Sequence, residues 1–197
     1  MPLRHKTTMI KSFYPCFQRW SAKGSVWIIS DTHFDDPDCK LMSSDWPYAI
    51  CHARKINKRV HQNDTLIHLG DVGDPSYMEF IRGHKVLITG NHDRGASFYE
   101  PYFDEIYTGP LFIGEKILLS HEPIAGLDWC INFHGHDHNG VHYYDDSDCT
   151  HVNVASNVIG YYPLNMGMFI KMYGLQAKGI HRDTIDKINT RGDQNVV

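Results

Sequence analysis

Five short stretches of this chain place metal-ligating residue types side by side: Asp31-Thr32-His33, Gly70-Asp71-Val72-Gly73-Asp74, Gly90-Asn91-His92-Asp93, Ser120-His121-Glu122-Pro123 and Gly135-His136-Asp137-His138. Carboxylate, imidazole and amide oxygen together suit a borderline divalent ion such as zinc, manganese, iron or nickel. They do not suit calcium, which takes oxygen donors alone. Ions of that kind activate water and neutralise charge on a reacting oxygen, so the chemistry in view is hydrolysis. Taken singly, each stretch has an ordinary reading. Asp-x-His after a strand is a common cap, Gly-Asp and Gly-Asn are common turns, and His136 with His138 reads as a surface pair. Five of them in order, each closing an apolar run, are too many for coincidence. The chain also carries 14 histidines, more than packing alone calls for. No His-Glu-x-x-His occurs, which argues against a metalloprotease.

The apolar runs that must position these residues lie at 26–30, 65–69, 85–89, 116–120 and 130–133, with a sixth at 152–155. Their length and β-branched content predict buried strands. Five strands then deliver Asp, His or Asn at the same carboxyl-terminal edge, where open α/β sheets bind ligands. Alternate residues of an extended segment point one way, so Asp31 and His33 are expected to meet one ion and His136 and His138 to be aimed together. Gly70, Gly90 and Gly135 precede candidate ligands and are expected to let the backbone turn sharply. Between the first two strands, 47–63 reads as an amphipathic helix. Ile50, Ala53, Asn57 and Val60 lie on one face, flanked by Ala49 and Ile56, and Arg54, Lys55, Lys58 and Arg59 lie on the other. A shorter helix is expected over 75–82 and a tight turn over 113–116. Alternating strands and helices followed by strands and turns predict a mixed sheet with helices packed outside.

A length of 197 residues fits a single domain, with 1–24 as an N-terminal extension and the polar segment from Asn189 as a frayed tail. Arg191-Gly192-Asp193 in that tail reads as chance. The net charge of -4 draws in neither polynucleotide nor anionic membrane, and no apolar run is long enough to span a bilayer. Five scattered cysteines without a CxxC pair indicate neither a disulfide framework nor a thiolate zinc site, so a cytoplasmic location is expected.

In order and spacing the five stretches resemble the motifs of the calcineurin-like metallophosphoesterases, over roughly residues 25–163. The Ser-His-Glu-Pro variant and the later Asn153-Val154-Ala155-Ser156 and Gly160-Tyr161-Tyr162-Pro163 are similar to small bacterial and phage members. The Ser/Thr protein phosphatase branch continues its second motif Asp-Arg-Gly, whereas here Asp74 is followed by Pro75-Ser76, which speaks against a phosphoprotein substrate. The resemblance implies a four-layer αββα sandwich of two mixed β-sheets flanked by helices, and two divalent metal ions, with Mn²⁺ favoured over Zn²⁺, Fe²⁺/Fe³⁺ or Ni²⁺. It assigns Asp31, His33 and His138 to one ion and Asn91, His121 and His136 to the other, with Asp71 bridging them and a metal-bridging hydroxide as nucleophile. His92 would then assist the leaving group rather than bind metal. Asp74 matches the position of its orienting partner, with Asp93 as the other candidate and a plain helix cap as the bland reading of Asp74.

For substrate, Arg94 is a candidate phosphate contact beside Asn91, with a surface arginine as the alternative. No cluster of Arg or Lys is present to grip a dianion, and the loop Asp35-Asp36-Pro37-Asp38 is acidic, so a phosphodiester is expected over a monoester. Trp46, Tyr48, Tyr99 and Tyr102 are candidate stacking partners for a base. His68 and His134 read as packed groups that hold ligand tautomers. The partner expected is a small phosphoester or nucleotide-like molecule. A nucleotide or pyrophosphate hydrolase, a phosphomonoesterase, and a catalytically silent metal-binding interaction module remain alternatives.

Overall fold

The computed structural model describes residues 19–113, 116–127, 130–146 and 149–172. Two mixed sheets of five strands each form the body. In the first, β1 (Val26–Ile29), β2 (Thr65–His68), β3 (His84–Ile88) and β4 (Glu105–Tyr107) run parallel, and β10 (Leu164–Asn165) closes the β1 edge antiparallel. In the second, β6 (Ile117–Leu119), β7 (Ile131–His134) and β9 (Cys149–Asn153) run parallel, with β5 (Leu111–Phe112) and β8 (Tyr143–Asp146) antiparallel at the two edges.

The period of two along each strand sorts side chains between two cores. Ile28, Ile67, Val86 and Ile88 turn inward and meet Ile117, Leu119, Ile131, Phe133 and Val152, joining the sheets face to face. Their neighbours Ile29, Leu66 and Leu87 turn outward onto Ala49, Ala53, Ile56 and Met78. The outward core is covered by α2 (Ala49–Asn57) and a 3-10 helix at Pro75–Phe80; a short α1 (Cys39–Met42) precedes them. After β10, α3 (Met166–Met172) sends Met166 and Phe169 into the core between the sheets.

Several sequence expectations shift. The first long helix spans only Ala49–Asn57, because Asp64 gathers the backbone N–H groups of His61 and Ser25 and the Trp27 indole, folding the chain into a turn before β2. Its buried stripe is Ala49, His52, Ala53 and Ile56, one residue earlier than hydropathy suggested, since His52 is polar yet fully buried. Expected helix 75–82 is a 3-10 segment, with Pro75 at its start and Asp74 as cap. β4, β5, β8 and β10 are strands the apolar pattern did not reveal, each two to four residues long or edge-exposed. Two of the scattered cysteines also meet: Cys130, just before β7, and Cys149, in the paired strand β9, have sulfurs 3.0 Å apart. Gly114 and Glu115 of the expected turn, residues 1–18 of the extension and the polar tail with Arg191-Gly192-Asp193 lie outside the described residues.

Candidate metal centre

The carboxyl-terminal ends of β1, β2, β3, β6 and β7 bring all seven expected ligands together. Asp31 Oδ1 lies 3.5 Å from His138 Nε2 and 3.9 Å from His33 Nε2. Asp71 Oδ2 lies 3.8 Å from His33 Nε2 and 3.3 Å from His121 Nε2. Asn91 Oδ1 faces His121 Nε2 at 2.7 Å and His136 Nδ1 at 3.1 Å. Two groups emerge whose donor atoms all lie within 4.8 Å of one another: Asp31, His33 and His138, and Asp31, Asp71 and His121.

Convergence does not come from strand alternation. Asp31, His33, Asp71 and His136 have φ of 55°, 41°, 56° and 65°, the left-handed region that L-residues avoid. Four of seven candidate ligands therefore sit on strained backbone, a cost that clusters at functional sites. His136 and His138 also part company, one facing Asn91 and His121, the other Asp31. Of the three glycines, Gly70 has φ +98°, as a sharp turn requires. Gly90 and Gly135 serve close approach instead, since a Cβ would fall 2.3 Å from Asp71 Oδ1 and 2.1 Å from Asp31 Oδ2, respectively.

Three of the four candidate rings are aimed by a second partner that the motif pattern did not disclose. His33 Nδ1–H donates to Asp36 (3.0 Å), His121 Nδ1–H to the Leu69 carbonyl (2.8 Å) and His138 Nδ1–H to Asn157 Oδ1 (3.0 Å). With Nδ1 so committed, all three turn Nε2 toward the carboxylates, the arrangement typical of metal-binding histidines. Asn157 also donates to the His138 carbonyl, closing a two-way grip. Only tertiary contact identifies it, because it lies 19 residues from its partner. His68 accepts from Gly70 N–H and bonds Thr32 Oγ1, which in turn donates to the Val72 carbonyl, tying the first two motif turns together. His134 Nδ1 bonds the Gly135 carbonyl.

The electrostatics call for a cation. Asp31 Oδ1 and His33 Nε2 are buried without a hydrogen-bond partner, which is costly for groups of that polarity. Burial raises the pKa of Asp31 above the usual carboxylate range, with His121 and His138 only partly opposing it. Burial opposes charging of His121 too, but its bond to Asp71 and the charges of Asp31 and Asp71 prevail and push it up to about 9. Asp71, desolvated yet bonded by His121 and by the His92 N–H, is pulled down to about 2. Bare acceptors facing acceptors, in a nitrogen and oxygen donor set, fit borderline divalent ions.

Around this centre the remaining residues sort by exposure. His92 is exposed, its ring 6.0 Å from that of His33, and it lines a cleft of about 530 Å³ with Asp35, Asp36, Asp74, Arg94 and Phe98. Asp74 lies in the same cleft and accepts from Ser76 N–H as the helix cap; no hydrogen bond joins it to His92 among the described residues. Asp93 turns both oxygens to backbone N–H groups instead of the His92 ring. Arg94 stacks over Phe98 at 4.5 Å. Of the aromatic residues considered for base stacking, Trp46 is buried against His33 and His138, and Tyr99 and Tyr102 belong to the outward core, which leaves Tyr48 exposed. A second cleft of about 290 Å³ opens on the other side, lined by Asn91, His121, Glu122, Pro110, Pro123 and Ile124.

The family model of the calcineurin-like phosphoesterases matches residues 24–164, and the chain belongs to that family. It is accordingly a metal-dependent phosphoester hydrolase in general class, and its candidate ligand groups fit the divalent ions that class uses. A crystal structure of a protein of unknown function from Aquifex aeolicus is similar, with TM-score 0.60 and 25% identity over 75% of this chain and 98% of that one. No curated protein matches significantly. No described helix is long and apolar enough to cross a membrane.

Proposed function

We propose that the protein is a dinuclear metal-dependent phosphodiesterase acting on a small diester. The observation that carries the dinuclear reading is the position of Asp71 Oδ2, 3.8 Å from His33 Nε2 and 3.3 Å from His121 Nε2, between the two sets of rings. Asp31, His33 and His138 would hold one ion and Asn91, His121 and His136 the other, with the Asp71 carboxylate shared. A shared carboxylate relieves the repulsion of two cations roughly 3.5–4 Å apart. When bound, such ions supply a water nucleophile at neutral pH and neutralise the phosphoryl oxygens. Mn²⁺ is the favoured ion.

The protein's own groups do the rest. His92 stands in the open cleft where a leaving alcohol would depart, and protonated at its ring it donates to that oxygen. Asp74 lies in the same cleft and orients the imidazolium through the field of its carboxylate. Arg94 reaches a phosphoryl oxygen. Clefts on both sides of the centre give room for two ester substituents, which favours a diester over a monoester. Asp35, Asp36 and Asp74 along one of them repel a polyphosphate chain, which weighs against a nucleoside triphosphate or pyrophosphate.

The test is hydrolysis of an aryl phosphodiester and the matching monoester by metal-stripped protein resupplied with Mn²⁺. Diester turnover should require the metal, exceed monoester turnover, vanish in Asp71→Asn and fall about 10²- to 10⁴-fold in His92→Ala with metal content retained. Turnover of neither ester with two ions bound would replace the enzyme by a metal-holding interaction module.

A further inference from the structure

Asp93 follows His92 in the third motif and touches none of the seven candidate ligands' side chains, yet four donors converge on its carboxylate. Oδ2 accepts from the backbone N–H of Asp71 at 2.9 Å and of Gly90 at 2.8 Å. Oδ1 accepts from the Val72 N–H at 3.0 Å and from the Tyr99 hydroxyl at 2.9 Å. A carboxylate offers about four lone-pair sites, so this one is filled. Three of the four donors belong to the backbone of the two turns that carry Asp71 and Asn91.

The grip is reciprocal. While Asp93 holds the Asp71 N–H, the neighbouring His92 N–H donates to Asp71 Oδ1 at 2.9 Å. Asp71 is thereby fixed at its backbone and at one carboxylate oxygen, and only Oδ2 remains to face His33 and His121. The backbone there needs holding, since Asp71 has φ of 56°, a conformation that a non-glycine residue leaves unless its surroundings over-determine it. Tyr99 anchors the arrangement. It is 2% exposed within the outward core, and its hydroxyl also accepts from the Arg94 N–H at 3.2 Å.

We propose that Asp93, keyed by the buried Tyr99 hydroxyl, is a positioning residue that aims Asp71 Oδ2 and so sets the affinity of the centre for its shared metal pair. The proposal rests on the dinuclear reading above. It predicts a defect in metal uptake that a purely structural carboxylate would not show.

The experiment is calorimetric titration of metal-stripped full-length protein with Mn²⁺, beside Asp93→Asn and Tyr99→Phe. The amide keeps the shape but turns an NH₂ toward N–H donors, so Asp93→Asn should weaken Mn²⁺ binding about 10- to 100-fold. Tyr99→Phe removes one of the four bonds and should weaken it about 3- to 10-fold. In both, kcat for the diester should fall with KM nearly unchanged, while circular dichroism stays that of the wild type. Should Asp93→Asn fail to fold, Tyr99→Phe decides alone. Two ions in the wild type and undiminished affinity in every folded variant would overturn the proposal and leave the dinuclear reading standing. Fewer than two ions in the wild type would overturn both.

Discussion

Asp31 shows how a residue suited to binding a cation works against the fold that carries it. Its carboxylate is wholly buried, Oδ2 accepts the His136 N–H at 3.0 Å, and Oδ1 has no partner. A desolvated carboxylate with one unmet oxygen destabilises the metal-free protein, and an ion at Oδ1 removes the penalty. Asp31→Asn keeps an acceptor for the His136 N–H and discards the charge. The expected result is a metal-free protein more stable by roughly 1–2 kcal/mol, with Mn²⁺ uptake largely lost, a trade of stability against function. Thermal melts in chelator beside metal analysis would show it; lower stability with metal retained would refute this account of Asp31.

At the scale of elements, strand ends supply the candidate ligands but the turns after them set the geometry. Gly70 illustrates how tightly these turns meet. A Cβ there would lie 2.4 Å from the Gly90 nitrogen and 2.6 Å from its Cα, on a backbone with φ +98°. Neither neighbour can yield without moving the Asn91 turn. Gly70→Ala should therefore cost at least about 3 kcal/mol, seen as a drop of ~6–12 °C in Tm, and weaken metal binding as well. Gly95→Ala is the control, because a Cβ there meets nothing within 4 Å and should leave Tm within about 1 °C. Equal effects at the two positions would show that the close turn contact carries no special strain.

Across the whole molecule, His52 ties α2 to the first motif loop and to the chain before β10. Its ring packs against Phe34 at 5.4 Å and Tyr161 at 5.5 Å, and the Thr32 backbone offsets only part of the cost of charging it. Burial, with smaller contributions from His68 and Lys55, pulls its pKa from 6.5 down to about 3. The unfolded chain then takes up a proton that the folded chain refuses. Stability from the neutral ring is complete above pH 6.5 and is lost as pH falls from 6.5 toward 3. At pH 5 the loss from this one group is about 2 kcal/mol. His52→Phe removes it, so the Tm gap between pH 7 and pH 5 should narrow in the variant, measured in chelator. An unchanged gap would mean that the ring is protonated in the folded state.

Much of this was readable from residue order. The ligand types stand in five ordered motifs because strand ends must carry them, and the apolar runs marked five of the six central strands because buried parallel strands need continuous hydrophobicity, while the run at 152–155 caught only the end of β9, whose buried Thr150 and His151 are polar. The second cleft, the edge strands and the buried face of α2 were not readable. β10 and β5 have two residues each and carry too little pattern, and His52 is buried in spite of its type. Residue order by itself determined which side chains could bind metal and that they would gather at one sheet edge. The tertiary structure alone decided their aim. Asp36, Asn157, Asp93 and the Leu69 carbonyl fix three of the rings and two of the turns through contacts that, apart from the local Asp36–His33 and Asp93–Gly90 bonds, span from 19 to 52 residues. Likewise, Cys130 and Cys149 are neighbours only because β7 and β9 pair. Hydrophobic pattern acts along the chain, one strand or turn at a time, whereas aiming a hydrogen bond to within a few tenths of an ångström takes partners brought together from distant segments.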